Sequence, residues 1–332
     1  MHQNTSCASQ CRVQTKLSAD FSFMNNLSRK PVVIVGPTAS GKSSVAMAVA
    51  QAESSNVSQV HIVAVDAMQV YRDMNIGTAK PTKQDQALVP HHCIDLVDSH
   101  DRFTVAEFKK SASVSLDEID KQNGRALLVA GTGLYLTAVI DELVLPGEFL
   151  DIRATLEEEP DTTKLFARLA ELDSVAAEKI EQSNRRRIVR ALEVCIGSGR
   201  PFSSFGPGTN AYPENGIVQI GLRWSRERLA QRVADRVYAM IEEGFVDEVA
   251  ELRESKHGLS RTAAQALGYK ELLLHLDGKL SLDQAIADTI THTRQFAVRQ
   301  ERWFRRDPRI KWVSISEDPV GEIVPVIAKH LR

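Results

Sequence analysis

The chain has 332 residues, enough for two domains or for one with a sizeable insertion. Its composition is that of an ordinary globular protein and its net charge is −2, which excludes a globally basic nucleic-acid binder and leaves such binding to local patches. Four scattered cysteines without a second cysteine pair or a downstream histidine cluster support neither a zinc site nor a disulfide framework, and apolar runs no longer than a strand exclude a transmembrane helix.

Residues 1–29 are polar and lack the apolar stretch of a secretory signal, so they read as a disordered extension, with Met24 as an alternative start. Cys7 and Cys11 fall in this tail, whereas Cys93 and Cys195 read as buried and reduced. The β-branched run Val32–Val35 then leads into Gly36-Pro37-Thr38-Ala39-Ser40-Gly41-Lys42-Ser43, followed by a helical pattern over 44–52. Strand, G-x-x-x-x-G-K-S loop and helix together form the context of a phosphate-binding P-loop. Its backbone N–H groups and the helix N-terminus favour a polyphosphate. Lys42 is placed to reach the terminal phosphates, and the Ser43 hydroxyl to ligate Mg²⁺.

A second apolar run, 61–65, ends at Asp66. At the end of a P-loop strand, an aspartate either helps hold Mg²⁺ or serves as a general base in the crevice. His91 and His92 are adjacent and cannot share a face of a regular element, so they read as loop or core residues. Thr104-Val-Ala-Glu107 is a capping box opening a helix that runs toward Asn123-Gly124. A third buried strand, 126–130, precedes Gly131-Thr132-Gly133 and another helix. Thr132 reads as a helix N-cap or as a hydroxyl presented to substrate. Apolar strands alternating with helices predict a parallel sheet covered on both faces, with ligands outside the strands' carboxyl ends. Gly36, Asp66 and Thr132 each follow a strand and are expected to converge there.

From 151 to 196 the pattern is helical, charged and without a strand signal, and Gly/Pro punctuation follows up to Gly208. This predicts an inserted all-helical subdomain over 146–211 within a core made of 30–145 and 212–332. Arg185-Arg186-Arg187 with Arg190 is a basic run that suits either solvent or RNA phosphates. A strand over 217–224 returns to the sheet, and a long amphipathic helix is expected over 226–252. The last third reads as helical. Its stretch 294–306 holds Arg294, Arg299, Arg302, Arg305 and Arg306, interleaved with Phe296, Trp303 and Phe304. Arg299, Arg302 and Arg306 share a face by spacing, and arginines with aromatics suit the phosphates and unstacked bases of RNA.

Together these motifs resemble the tRNA dimethylallyltransferase (tRNA isopentenyltransferase) family, bacterial type. The resemblance rests on the P-loop, Asp66-Ala-Met-Gln-Val-Tyr71, Gly77-Thr-Ala-Lys-Pro81, Pro90-His-His, Gly131-Thr132-Gly-Leu-Tyr135, Arg190-Ala-Leu-Glu-Val194, Gly268-Tyr269-Lys270 and Arg299-Gln300 with Trp303-Phe304-Arg305. They run in family order from about residue 31 to 306. The resemblance implies a P-loop NTPase-like fold. It also implies transfer of a dimethylallyl group from dimethylallyl diphosphate to the exocyclic amine of the adenosine beside the tRNA anticodon, with Mg²⁺ as cofactor. It makes Asp66 the base, Thr132 a positioning group and Arg153 a contact at the reaction centre, and it gives the P-loop the diphosphate of the prenyl donor. Contacts to the anticodon stem-loop are implied for Asp66, Ala67, Met68, Gln69 and Tyr71; for Arg186, Arg187, Ile188, Val189 and Arg190; for Gln265, Gly268, Tyr269 and Lys270; and for Arg299, Arg302 and Arg305. Ala130 and Ala67 depart from the family pattern, and the zinc finger of eukaryotic members is missing because no cysteine follows Cys195. The expected protein is a cytoplasmic, membrane-free monomer. Rival readings are a transferase acting on free adenine nucleotides, a P-loop kinase of a small metabolite and a nucleotide switch. The basic segments around Arg186 and Arg299 favour tRNA, because a small nucleotide has no backbone to grip.

Overall fold

The computed structural model describes residues 23–55 and 58–331. A short turn α1 (Phe23–Asn26) precedes β1 (Val32–Val35), α2 (Lys42–Glu53), β2 (Val60–Val65), α3 (Lys83–Leu88), β3 (His91–His92), α4 (Val105–Lys121), β4 (Arg125–Ala130) and α5 (Gly133–Ile140). Four helices follow without a strand: α6 (Leu150–Glu158), α7 (Thr162–Leu172), α8 (Ser174–Lys179) and α9 (Arg185–Ser198). The chain closes with β5 (Val218–Arg223), α10 (Arg226–Glu242), α11 (Phe245–Glu254), α12 (Tyr269–Leu276), α13 (Leu282–Phe304), β6 (Ile310–Ser314) and α14 (Pro319–Ala328).

The strands form one parallel sheet in the order β3-β2-β4-β1-β5-β6. Every residue of β1 and β2 is buried, as expected where helices cover both faces. Alternation along the strands divides the core. Val33, Val35, Val63, Val65 and Leu128 pack with α4, α5, α11 and α12, while Val32, Ile34, Ile62, Leu127 and Leu222 pack with α2 and α14. This is the P-loop NTPase-like α/β architecture expected from the alternating pattern.

Helices α6–α9 bury a separate cluster around Leu165, Leu169, Ile188 and Leu192. Glu193 organises its base. The carboxylate is fully buried, accepts the Phe149 N–H at 2.8 Å and pairs with Arg153 at 2.6 Å and Arg190 at 2.7 Å. On the sheet side, Arg309 grips Asp141 at 2.6 Å, Asp307 at 2.7 Å and the Pro213 carbonyl at 2.7 Å. One guanidinium thereby ties the chain leaving α5 to the chain returning before β5.

Several expectations change. The reading of 1–29 as disordered does not hold for 23–29: the Met24 side chain is buried in the core, and Ser28 hydrogen-bonds Asp120. Residues 1–22, with Cys7 and Cys11, lie outside the described residues. Helix 226–252 is two helices, because Gly244 adopts φ 98°, a left-handed conformation that ends α10 and opens α11. The helical reading of the last third misses β6 beyond the Asp307-Pro308 breaker. His91 and His92 form the short strand β3, with His92 Nε2 and His61 Nδ1 3.0 Å apart. Cys93 and Cys195 are buried free thiols.

The sheet itself does not depend on Glu193, whereas the base of the helical insertion does. Replacing Glu193 with alanine leaves Arg153 and Arg190 without their shared partner. It is expected to cost about 3 kcal/mol, read as a lower urea midpoint. Hydrogen bonds from Phe149 and the two arginines hold the Glu193 carboxyl below its ordinary value despite burial. The stabilisation is therefore present at neutral pH and lost as pH falls through the folded-state value, and the alanine variant lacks this acid-dependent loss.

Candidate active site

The loops after β1, β2 and β4 meet at the carboxyl edge of the sheet, where α10 and α13 close over them. They enclose a cleft of about 860 Å³ lined by Thr38, Lys42, Ser43, Asp66, Thr132, Arg236 and Gln300, among others.

The P-loop is held by its carbonyls. The Pro37 carbonyl accepts from Lys42 Nζ at 2.7 Å, the Ala39 carbonyl from Arg232 Nε at 2.8 Å and the Ser40 carbonyl from Trp224 Nε1 at 3.0 Å. Arg232 also stacks on Trp224, its guanidinium 4.5 Å from the ring centre. Gly41 at φ 91° makes the turn into α2, and a side chain there would meet Pro319 at 2.9 Å. Helix α2 starts at Lys42 with no side-chain cap, so its first N–H groups remain open to an anion.

Two cations converge on this mouth. Burial pushes the Lys42 ammonium down to about 7, and nearby Arg236 pushes the same way, with Asp66 opposing. Burial lowers Arg236 as well. Arg236 donates to Thr38 Oγ1 at 3.2 Å. Sequence reasoning misses this arginine. Its only signal in the chain is a position on the inner face of an amphipathic helix, which gives no hint of a partner across the fold.

Asp66 Oδ1 accepts the backbone N–H of Met68 at 2.8 Å and of Gln69 at 3.3 Å. Oδ2 has no hydrogen bond among the described residues and lies beside Gly131, where an added Cβ would approach it to 3.2 Å. Thr132 Oγ1 accepts the Ala67 N–H at 3.1 Å, which joins the β2 and β4 loops. Thr132 stands at the α5 N-cap position without a side-chain cap bond, and its hydroxyl is engaged by the β2 loop instead.

Met68, Gln69, Gln265, Tyr269 and Arg299 also line the cleft. Gln69 Nε2 donates to the Thr78 and Ala79 carbonyls, fixing the loop 77–81. Glu248 accepts the N–H groups of Asn75, Ile76 and Gly77 and the Tyr269 hydroxyl at 2.5 Å. Gly77 must be glycine, because a Cβ would lie 2.3 Å from Phe245. Lys270, Arg302 and Arg305 are exposed, and Arg305 pairs with Glu301 at 2.7 Å.

Other residues expected at the site are not brought to the cleft. Tyr71 is fully buried in the core. Ile188 and Val189 are buried in the α6–α9 cluster because they occupy the inward face of α9, whereas Arg186 and Arg187 are exposed. Arg190 spends its guanidinium on Glu193 and the Pro146 and Gly147 carbonyls. Arg153 is held by Glu193 and does not line the cleft.

The sequence pattern of the family described as IPP transferase matches residues 69–307, and that described as isopentenyl transferase matches 30–90. A tRNA dimethylallyltransferase of Streptomyces coelicolor is 44% identical over 85% of this chain and 89% of its own. One of Paenarthrobacter aurescens is 42% identical over 92% and 98%. Among solved structures, the tRNA isopentenylpyrophosphate transferase of Bacillus halodurans superposes with a TM-score of 0.64 at 35% identity, covering 91% of this chain and 97% of that one. A eukaryotic dimethylallyltransferase acting on tRNA gives 0.73 at 26% identity, covering 86% and 74%. A P-loop mouth with two converging cations, a carboxylate facing it and matches of this extent lead to one assignment: the chain belongs to the tRNA dimethylallyltransferase family.

Proposed function

We propose that the protein transfers a dimethylallyl group from dimethylallyl diphosphate to the exocyclic amine of the adenosine 3′ of the anticodon in tRNA, releasing diphosphate. The observation that carries this reading is the convergence of Lys42 and Arg236, with Asp66 and Glu243 as the nearby carboxylates, on the mouth of an uncapped helix. Such a site is completed by a polyanion. Ser43 Oγ has no hydrogen bond among the described residues and lines the same cleft, so it would be the hydroxyl ligand for a Mg²⁺ ion accompanying the donor. Bound there, the metal would neutralise charge on the departing diphosphate.

The adenine amine is a weak nucleophile, because its lone pair is delocalised into the ring. As its nitrogen bonds to the allylic carbon, the carbon–oxygen bond to the diphosphate breaks and the oxygen keeps the electron pair. Lys42, Arg236 and the α2 amides are placed to stabilise that charge. Asp66 Oδ2, which has no hydrogen bond among the described residues, orients the amine and takes its proton. Thr132, tied to the Ala67 N–H, fixes the turn that faces Asp66. The target base is extruded from its stack at a cost of roughly a few kcal/mol. Exposed Arg299, Arg302, Arg186 and Arg187 offset this by gripping the anticodon stem-loop. A monomer acting on tRNA in the cytoplasm is part of this reading. Among the described residues, no helix is long and apolar enough to cross a membrane.

The direct test supplies labelled dimethylallyl diphosphate or ATP with tRNA or AMP. Label moving from the isoprenoid to tRNA is expected; label moving from ATP to a small molecule overturns the proposal. Asp66→Asn is expected to lower kcat about 100-fold while leaving the tRNA Kd nearly unchanged, measured by single turnover and filter binding. The depressed Lys42 value has its own signature. At pH 8 the free site holds a largely neutral Lys42, and a bound diphosphate restores the charge. Binding should therefore take up close to one proton, seen by calorimetry in buffers of different ionisation enthalpy, and weaken as pH rises above about 7. Replacing Arg299 and Arg302 with alanine should weaken tRNA binding. The slope of log affinity against log salt should flatten by about 0.7–0.9 for each phosphate the variant no longer neutralises.

A further inference from the structure

Thr289, Thr293, Phe296 and Gln300 face the cleft from α13. Thr289 and Gln300 are buried, and Gln300 is the one at the loop edge. Its Oε1 accepts the Thr38 N–H of the P-loop at 2.8 Å, and its Nε2 donates to the Gly131 carbonyl at 2.8 Å. The two loops follow β1 and β4, which are neighbours in the sheet, yet Gln300 stands 262 residues from Thr38 and 169 from Gly131 in the chain. An N–H and a carbonyl are bridged by a side-chain amide because it offers one acceptor and one donor at a single end. An added Cβ on Gly131 would lie 3.4 Å from Gln300 Nε2 and 3.2 Å from Asp66 Oδ2, so the amide sits beside the carboxylate. Next along α13, Arg299 is exposed and its guanidinium lies over Phe296 at 5.7 Å.

We propose that Gln300 is a positioning residue for the transfer. Its amide sets the separation between the P-loop and the Asp66–Gly131–Thr132 turn, and it ties that separation to the helix carrying Arg299 and Arg302. This rests on the transferase reading above. The leaving oxygen is held by one loop and the attacking amine by the other, so the reacting atoms meet at the distance this amide fixes. Misplacement of reacting atoms by about 1 Å can cost 100-fold in rate while each substrate still binds.

The test compares the full-length wild type with Gln300→Leu and Gln300→Glu, using dimethylallyl diphosphate and tRNA. Gln300→Leu is expected to lower kcat between about 10- and 100-fold, with the KM of each substrate and the melting temperature little changed. Gln300→Glu adds a readout that a merely structural role would not move. An ionised carboxylate cannot donate to the Gly131 carbonyl, but a protonated carboxyl can donate there and accept from Thr38. Burial and the neighbouring Asp66 raise the introduced carboxyl, while Lys42 and Arg236 across the cleft and the Thr38 N–H oppose them. The ratio of variant to wild-type kcat, taken at each pH, should therefore climb severalfold as pH falls from 8 to 6. An active wild type matched by Gln300→Leu, or a ratio flat with pH, overturns this inference alone. A wild type that transfers no dimethylallyl group overturns the transferase reading and this inference with it.

Discussion

The site is governed by two cations brought close together at the end of the P-loop. Lys42 and Arg236 lie partly buried and close to each other, with Asp66 facing both and Glu243 facing Arg236. Burying a cation without a partner is costly, and the cost falls when an anion arrives. The protein carries that cost in its free state by fixing the loop rigidly. Three carbonyls of the P-loop are taken by Lys42, Arg232 and Trp224, and the Thr38 amide is taken by Gln300. Within the loop the Ser40 N–H donates to the Pro37 carbonyl at 3.3 Å, and the open end of α2 stays directed at the cleft.

The rest of the fold serves that arrangement. A parallel sheet brings the loops after β1, β2 and β4 to one edge, but it does not set their spacing above the strands. Side chains from α10 and α13 do so: Arg232 and Arg236 from one, Gln300 from the other. A second framework, built on Glu248, presses the 77–81 loop against Phe245 and Tyr269 and shapes the far wall of the cleft. The helical insertion has its own core and its own buried carboxylate, Glu193. Arg190 and Arg153 belong to that local structure, while Arg186 and Arg187 are exposed on the same helix.

Legibility in the sequence followed the range of the interactions. The P-loop was plain because its chemistry is contiguous: glycine for the turn, lysine for phosphate, a helix directly after. Asp66 and Thr132 were found because each directly follows a strand, and parallel strands deliver such residues to one place. The split at Gly244 and the strand at 310–314 were missed although their signals, a glycine after Glu243 and the Asp307-Pro308 breaker, are present. Amphipathic periodicity continued on both sides of Gly244 and hid the break. On α9, a basic run suggested an RNA-facing segment, but helical geometry turns Ile188 and Val189 inward, and Glu193 claims Arg190.

The sequence alone determined the α/β class, the phosphate loop, the helical character of residues 151–196 and the family, because each is written in short-range pattern or in motifs kept in order. The tertiary structure alone decided that Arg236 joins Lys42, that Gln300 bridges two loops, that Tyr71 is core and that Arg153 serves Glu193. Those roles depend on which side chains meet across 40 to 262 residues of chain. Burial and partner choice are set only when the helices pack on the sheet, and no local pattern encodes them.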